Sequence, residues 1–326
     1  MIQTIKNYVH GQRTLIPNTI IGGIGAYITT AAALETKLGV ASGFIKLFEK
    51  RGNDLYFRVR SNYNLPINCF SSDSYITSFI DTEGFANLTT GVFKSSTVKE
   101  VVLNRALEIS TNAFLSSSIE KITMETATSI ASNGLDLCAN LLTINAPLIT
   151  SVATFGARST TSLASTNFKP TSIGSGSLKN SSAILDVSNV TTLGNNALEN
   201  GLYTTITFNS LVTTSATSPF YGFNNCVTAY FPLLETIGNS TNFWAFWNSC
   251  TLIQMRKLTS YGVTAGTGTT GSYGFAALKT GCTIEVNIAI KTANGGLPHE
   301  AFKYAKNTKG ATVKFYNNDG TYNSTL

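Results

Sequence analysis

Apolar and polar positions repeat at a regular spacing along most of this chain, from about Tyr75 to about Ile290. One repeated phrase places a small or polar residue before what is usually an aliphatic one, as in Asn87-Leu88. The steps between successive second positions, counted from Leu88, are 21, 21, 22, 21, 20, 22, 22 and 24. These second positions are Leu88, Ile109, Ile130, Val152, Ile173, Leu193, Ser215, Ile237 and Tyr261.

A second phrase keeps the same spacing and alternates apolar with other residues, as in Ile206-Thr207-Phe208. This is the two-residue period of a strand with one buried face. Each unit has too few apolar residues to bury its own face, so a period of this length predicts a solenoid whose units share one core. The copies begin at Val101, Ile122, Leu142, Leu163, Leu185, Ile206, Ala229 and Ile253.

A third feature is a small residue followed by a large one, which predicts an irregular or single-turn helical side with the large residue in the core. Asn, Ser and Thr fill the corners, where their side chains bond to turn backbone groups. The pairs are Val92-Phe93, Ala113-Phe114, Gly134-Leu135, Ser177-Leu178, Ala197-Leu198 and Ala245-Phe246.

These phrases resemble the BspA-like leucine-rich repeats, in which a strand and a turn precede a segment of the form s-I-g-x-x-A-F-x-x-C-x-x-L. The best copies lie at 108–114, 192–198 and 245–252. The resemblance covers roughly two thirds of the chain and implies a leucine-rich-repeat solenoid, mainly β with short helices. The unit around 155–158 departs from the pattern, and 262–274 inserts a Gly/Thr loop.

Both flanks lack the repeat, so we expect three parts: an attachment or capping module at 1–70, the solenoid at 71–290 and a C-terminal cap at 291–326. The first flank predicts a helix from Thr30 to Lys37 and a hairpin from Phe44–Phe48 to Leu55–Val59. The second predicts a helix over Ala301–Lys306 and a strand over Thr312–Tyr316.

An apolar run from Leu15 to Leu34 superficially resembles a leader sequence. Pro17, Asn18 and several threonines count against that interpretation. The run also lacks the uninterrupted apolar length of a membrane-spanning helix, so we expect no membrane insertion.

Charge is sparse and uneven. Charged residues make up 12% of the chain, and the net charge of +6 divides into +5 over 1–60, −2 over 61–290 and +3 over 291–326. No run of Lys and Arg is interleaved with aromatic residues, so we expect no nucleic-acid binding. The basic ends fit docking on acidic protein neighbours or simple solvation.

The five cysteines are Cys69, Cys138, Cys226, Cys250 and Cys282. Four of them fall near the cysteine position that the resemblance implies, so we interpret them as buried packing residues. The chain has no C-x-x-C motif, and we expect no metal site. Cys226 and Cys250 lie one unit apart, which leaves a disulfide between them open.

Candidate chemistry is otherwise thin, and we expect no cofactor and no catalytic site. His10 and His299 lie at opposite ends of the chain, and the glycine strings at 22–25 and 266–271 lack the context of a dinucleotide fingerprint. Asp186, Glu199 and Glu235 fall at different positions of their units, which does not indicate a glycosidase pair.

The segment from Phe220 to Trp247 contains more aromatic residues than its part of the core can bury. Neighbouring residues of one coil cannot all point inward, so some of these rings are expected to be exposed, and exposed aromatics stack on sugars or proteins. The candidate binding residues are Tyr221, Phe243, Trp244 and Trp247.

The leading hypothesis is a non-enzymatic structural and binding protein of a bacteriophage virion, such as a fibre, appendage or tail protein. The word phage comes from the resemblance alone. Partners would be other virion proteins and a host surface glycan or protein, with the chain in a homo-oligomer or larger assembly. The alternative is an exported bacterial cell-surface adhesin, and a third hypothesis is a carbohydrate-active enzyme on a β-solenoid.

Overall fold

The computed structural model describes residues 17–59, 61–81, 83–238, 248–262, 275, 278–293 and 297–326, with the backbone alone from 297 to 300. The described residues form a mainly β solenoid with two helices, which confirms the predicted fold class. One contiguous apolar core runs through the stack.

The predicted N-terminal helix is present as α1 (Ala31–Lys37). It begins after Thr30, whose hydroxyl accepts a hydrogen bond from the Ala33 N–H at 3.2 Å and so caps the first turn. Leu34 and Leu38 are fully buried on its inner face. The helix therefore covers the apolar interior at this end of the solenoid.

The predicted hairpin is also present, and a further strand connects it to the solenoid. β1 (Thr19–Gly22) pairs antiparallel with β3 (Asp54–Arg58), which pairs antiparallel with β2 (Leu47–Arg51). On its other side β1 pairs antiparallel with Ser78–Asp81, the first longer strand of the solenoid. The module thus extends the main sheet of the solenoid.

Each coil contributes a longer strand and a two-residue strand on another side, and strands of the same kind pair in parallel between neighbouring coils, except that Ala86–Asn87 does not pair with Glu108–Ile109. The inward positions follow the predicted spacing, since Ile130 pairs with Ile109 on one side and Val152 on the other. In chain order these strands are β4 (Tyr63–Asn64), β5 (Ser78–Asp81), β6 (Ala86–Asn87), β7 (Glu100–Leu103), β8 (Glu108–Ile109), β9 (Lys121–Thr123), β10 (Ser129–Ile130), β11 (Thr143–Asn145), β12 (Ser151–Val152), β13 (Ser165–Thr166), β14 (Ser172–Ile173) and β15 (Thr192–Leu193).

From Asn68 to Gly222, the third side of each coil consists of turns with two residues in the left-handed region, four positions apart. Asn, Ser and Gly occupy most of these positions because they tolerate positive φ at low cost. The first set is Asn68, Gly91, Asn112, Asn133, Phe155, Gly176, Asn196 and Ser218; the second is Ser72, Ser95, Ser116, Leu137, Ser159, Asn180, Asn200 and Gly222.

In the described copies, the large residue predicted to face the core lies between these two positions and is buried, while the predicted pair Ala245-Phe246 lies outside the described residues. Phe70, Phe93 and Phe114 stack with centroid distances of 5.7 and 5.3 Å. The backbone N–H of each donates to the next coil, as from Phe93 to the carbonyl of Ala113 at 2.8 Å. The unit around 155–158 keeps this geometry with Ala157 in the core position, so its departure from the pattern is a change of residue and not a lost coil.

The ladder of longer strands is interrupted between β13 and Thr205–Thr207, and the ladder of two-residue strands is interrupted between β15 and Thr213–Thr214. Leu185 and Val187 are buried as predicted, but the strand predicted there is wrong. The Leu185 N–H donates to the hydroxyl of buried Tyr203 at 3.1 Å and not to a neighbouring strand. The backbone hydrogen bonds of the turn side continue across this point, as from the Leu198 N–H to the Pro219 carbonyl at 3.0 Å.

Beyond the interruption the parallel pairing resumes. Its register pairs Thr214 with Ile237, so the inward residue of that coil is Thr214 and the predicted Ser215 is wrong by one position. The strands are β16 (Thr205–Thr207), β17 (Thr213–Thr214), β18 (Thr228–Tyr230), β19 (Thr236–Ile237), β20 (Leu252–Met255), β21 (Ser260–Tyr261) and β22 (Thr283–Asn287).

The C-terminal flank contains the predicted helix and strand as α2 (Leu297–Lys309) and β23 (Thr312–Tyr316). β23 pairs in parallel with β22, so this flank continues the solenoid register. A last strand, β24 (Tyr322–Thr325), pairs antiparallel with β23 and was not predicted. Beneath the helix, the Phe302 ring lies 5.5 Å from Phe275 and 6.2 Å from Tyr261.

Candidate functional site

The predicted aromatic site is only partly described by the structure. Tyr221 is partly exposed on the turn side, and its N–H donates to the Ser218 carbonyl at 3.1 Å. Phe243, Trp244 and Trp247 lie outside the described residues, so the site stays a prediction. The rings of Phe220, Phe223 and Phe231, from the same concentration, are fully buried in the core.

The three acids weighed for catalysis lie on different sides of the solenoid. Asp186 accepts from Lys169 at 2.8 Å, and this hydrogen bond, with those from Ser188, lowers its pKa to about 2. Glu199 lies on the turn side, 2.9 Å from the ammonium of Lys179. Glu235 precedes β19. A general acid needs a raised pKa, which is the opposite of what Asp186 has.

Four cysteines are buried in the interior as predicted, and Cys69 is partly buried against the core. All five are free thiols, so Cys226 and Cys250 are not bonded to each other. Burial raises the pKa of the Cys138 and Cys226 thiols to about 12 in each case, which removes their reactivity as thiolates. Within the described part of the chain, no group of three or more His, Cys, Asp or Glu side chains is placed to hold a metal ion.

A cleft of about 280 Å³ lies where the N-terminal module meets the first coil. It is lined by Tyr27, Lys37, Ser72, Asp73, Ser74 and Tyr75. Tyr27 follows the short 3-10 helix at Ile24–Ala26, and Lys37 is the last residue of α1. The four other residues belong to the turn before β5. Two segments that are distant in sequence therefore form one site.

Gly23 allows these segments to approach each other. Its φ is +87°, and a Cβ at this position would lie 1.8 Å from the carbonyl oxygen of Tyr75. Its N–H donates to the carboxylate of Asp54 at 3.0 Å, and the Thr77 N–H donates to the Gly22 carbonyl at 2.9 Å. The glycine string at 22–25 thus serves this close backbone contact.

The two tyrosine rings of the cleft are both open to solvent. Tyr27 is 44% exposed and Tyr75 is 55% exposed. Their centroids are 5.6 Å apart and their planes are tilted by 58°. They form two adjacent walls of an open cleft, with the Lys37 ammonium 5.8 Å from the centre of the Tyr27 ring.

Asp73 fixes the polar groups around these rings. Its side chain is 6% exposed, and one carboxylate oxygen accepts from the N–H groups of Tyr75 and Ile76 at 3.0 and 3.1 Å. The other oxygen accepts from the Tyr27 hydroxyl and lies 3.7 Å from the Lys37 ammonium. Burial and then this hydrogen bond hold the pKa of Tyr27 well above its usual range.

Sequence reasoning missed this cleft. Tyr27 lies in the apolar run weighed as a leader, and Tyr75 marks only the start of the repeat. The available signal was the glycine string at 22–25, since glycines outside a nucleotide motif often indicate close backbone approach.

No curated protein shows significant sequence similarity to this chain. The crystal structure of a leucine rich cell surface protein from Faecalibacterium prausnitzii A2-165 is similar at 13% sequence identity, with a TM-score of 0.36. The similarity covers 66% of this chain and 64% of that protein, so this chain spans less than two thirds of its length.

No helix among the described residues has the length and apolar character needed to cross a bilayer. The BspA type leucine rich repeat region matches in six copies, over residues 63–185 and 160–262. These matches cover more than half of the chain and coincide with the stacked coils from β4 to β21. The chain therefore belongs to the BspA type leucine rich repeat family.

Proposed function

We propose that this chain is a non-enzymatic binding protein displayed on a bacterial cell surface, with the solenoid as its rigid support. The observation that carries the proposal is the outer surface of the coils, which presents columns of short uncharged side chains. In the clearest column, each threonine hydroxyl and N–H donate to the carbonyl of the preceding coil. It comprises Thr128, Thr150, Thr171 and Thr191.

Charged side chains add little net charge to this outer surface because several of them pair between neighbouring coils. Lys99 lies 3.0 Å from Glu120, and Arg158 makes two hydrogen bonds to Asp136 at 2.8 and 2.6 Å. Such pairs leave little net field for attracting charged ligands. A regular stack with this surface supports recognition by shape and hydrogen bonds over an extended face.

Family membership supports the surface protein over the virion component, and the two make different claims about location. Antibody to this chain, applied to intact cells of the encoding organism and to purified virus particles, tests both. We expect labelling of intact cells that protease treatment of the same cells removes. Label confined to the cytosol would overturn the proposal, and label on particles alone would replace it with the virion component.

A further inference from the structure

We propose that the cleft between the N-terminal module and the first coil binds a neutral pyranose sugar, with Tyr75 and Tyr27 as its stacking walls. This inference rests on the proposed function and names the ligand class of one site on that surface. It concerns a different place from the aromatic residues that the sequence indicates.

The rings provide apolar faces that water covers in the free protein. Both are more than two fifths exposed. The hydroxyl of Tyr27 donates to Asp73, and the backbone N–H of Tyr75 donates to the same carboxylate, so one carboxylate positions the Tyr27 ring and the Tyr75 backbone. Groups positioned in this way lose less conformational entropy on binding a ligand than free ones do.

The ring geometry selects against a flat aromatic ligand between the tyrosines. A base or indole sandwiched between two rings needs a gap of about 7 Å, twice the contact distance of carbon atoms. The observed centroids are 5.6 Å apart with planes tilted by 58°. A sugar ring is thicker and has C–H groups on its faces, so it can rest on both walls from outside.

The charges in the cleft point to a neutral ligand. Its lining holds one cation, Lys37, and one anion, Asp73, which lie 3.7 Å apart. Asp73 uses both oxygens within the fold and cannot serve as a free anion for a cationic ligand. Lys37 already faces the Asp73 carboxylate, so an acidic ligand would have to compete with Asp73 for the ammonium group.

Polar groups remain at the rim to bond sugar hydroxyls. Lys37 retains ammonium protons that are not directed at Asp73, and the exposed residues Ser72 and Ser74 carry hydroxyls. The Tyr27 oxygen donates to Asp73 and keeps its lone pairs as an acceptor. The cleft volume of about 280 Å³ lies near the lower bound of ligand pockets, about 300 Å³. This size suits one sugar ring better than an extended peptide.

Saturation-transfer NMR on the purified full chain tests the proposal with five named probes. Four are neutral: the methyl glycosides of glucose, galactose, mannose and N-acetylglucosamine. The fifth is the acidic methyl glucuronide. We expect at least one neutral glycoside to bind with a millimolar dissociation constant. Tyr75→Ala should weaken it roughly tenfold, which corresponds to 1.4 kcal/mol, whereas Tyr75→Phe should retain it.

Tyr322→Ala is the matched control, because Tyr322 is 56% exposed at the other end of the solenoid. This variant should bind like the wild type. No neutral glycoside binding in the millimolar range, unchanged binding in Tyr75→Ala, or tighter binding of the glucuronide would each overturn the proposal. Surface labelling of cells is independent of this assay, so a failure here leaves the proposed function testable by itself.

Discussion

The two ends of the solenoid are built from similar parts that pack in different ways. At each end a sheet of longer strands finishes in an antiparallel strand, β2 in one sheet and β24 in the other. Each end also has two tyrosines beside one acid and one cation. These sets are Tyr27, Tyr75, Asp73 and Lys37 at the N-terminal end, and Tyr316, Tyr322, Glu285 and Arg256 at the C-terminal end.

Only the N-terminal set leaves two aromatic faces open. Tyr316 is 8% exposed because its hydroxyl donates to Glu285 at 3.1 Å and the guanidinium of Arg256 covers its ring at 4.1 Å. The C-terminal strand β23 continues the parallel register, so its side chains pack as those of another coil do. The N-terminal module instead joins the first coil through the antiparallel pairing of β1 with β5. The cleft lies at this junction, which we call the seam. The candidate site therefore comes from the junction of repeat and non-repeat, not from the repeat.

The largest expected effects come from removing the core beneath each end. Leu34→Ala in α1 should lower the free energy of unfolding by about 2–5 kcal/mol, and Phe302→Ala in α2 by about 3–5 kcal/mol. Because each coil contacts only its neighbours, the damage should stay local. Hydrogen exchange should rise in 17–59 for Leu34→Ala and in 301–326 for Phe302→Ala. A rise at both ends in either variant would show that the ends are not independent.

Gly23→Ala should detach the N-terminal module at the seam. The added Cβ would lie 1.8 Å from the Tyr75 carbonyl at a φ of +87°, so the backbone must move. We expect a loss of at least about 2 kcal/mol in urea unfolding. Gly52→Ala is the control, since its φ is +60° with nothing within 4 Å. It should lose only about 1 kcal/mol, and equal losses would mean that the contact does not hold the seam.

Asp73→Asn should change the site with a smaller loss of stability, about 1 kcal/mol. Tyr27 would keep its burial but lose the charged acceptor, so its pKa should fall while staying above the usual range. The ring carbon signal of Tyr27, assigned with Tyr27→Phe, reports this in an NMR pH titration. Glu285→Gln should lower the pKa of Tyr316 and leave that of Tyr27 unchanged, and a Tyr27 pKa that ignores Asp73→Asn would contradict the geometry.

A fall in pH should change the stability of the two ends in opposite directions. These effects should be smaller than those of the substitutions described above. Burial raises the pKa of Asp81 above 3.8, so its stabilising contribution is fully present below 3.8 and is lost as pH rises through the raised value. For Glu285, burial acts to raise the pKa, but hydrogen bonds from Gln254, Arg256 and Tyr316 outweigh it. Its contribution is present above 4.5 and is lost as pH falls through the lowered value.

Amide protection factors between pH 7 and pH 3 test this contrast. Acidification should raise protection around Asp81 relative to that around Glu285. Asp81→Asn and Glu285→Gln should each remove the pH dependence at their own end. Parallel changes at both ends in the wild type would contradict the assignment.

The repeat was predictable because stacking imposes one period on several kinds of position. The alternation at Val101 and Leu103 and the helix that begins near Thr30 each follow from local chemistry, and both are found in the fold. The missing strand at Leu185 could not be predicted, since its alternation is normal. Its N–H finds the Tyr203 hydroxyl instead of a neighbouring strand, and that choice depends on packing between coils.

The cleft could not be predicted for a related reason. Tyr27 and Tyr75 become neighbours only through the pairing of β1 with β5, which joins a non-repeating segment to the first coil. A pattern that recurs once in every coil carries no information about such a contact. The sequence indicated the N-terminal segment 1–70 as a place outside the pattern, but not the residues that matter there.

The most direct measurement is an NMR titration of the full chain, with its tyrosine rings carbon-labelled, using the neutral methyl glycosides. We expect ring signals of Tyr27 and Tyr75 to shift in a saturable way while those of Tyr316 and Tyr322 stay in place. Shifts at the C-terminal pair, equal shifts at both ends, or no saturable shift at Tyr27 and Tyr75 would contradict the claim that the N-terminal seam is the binding site.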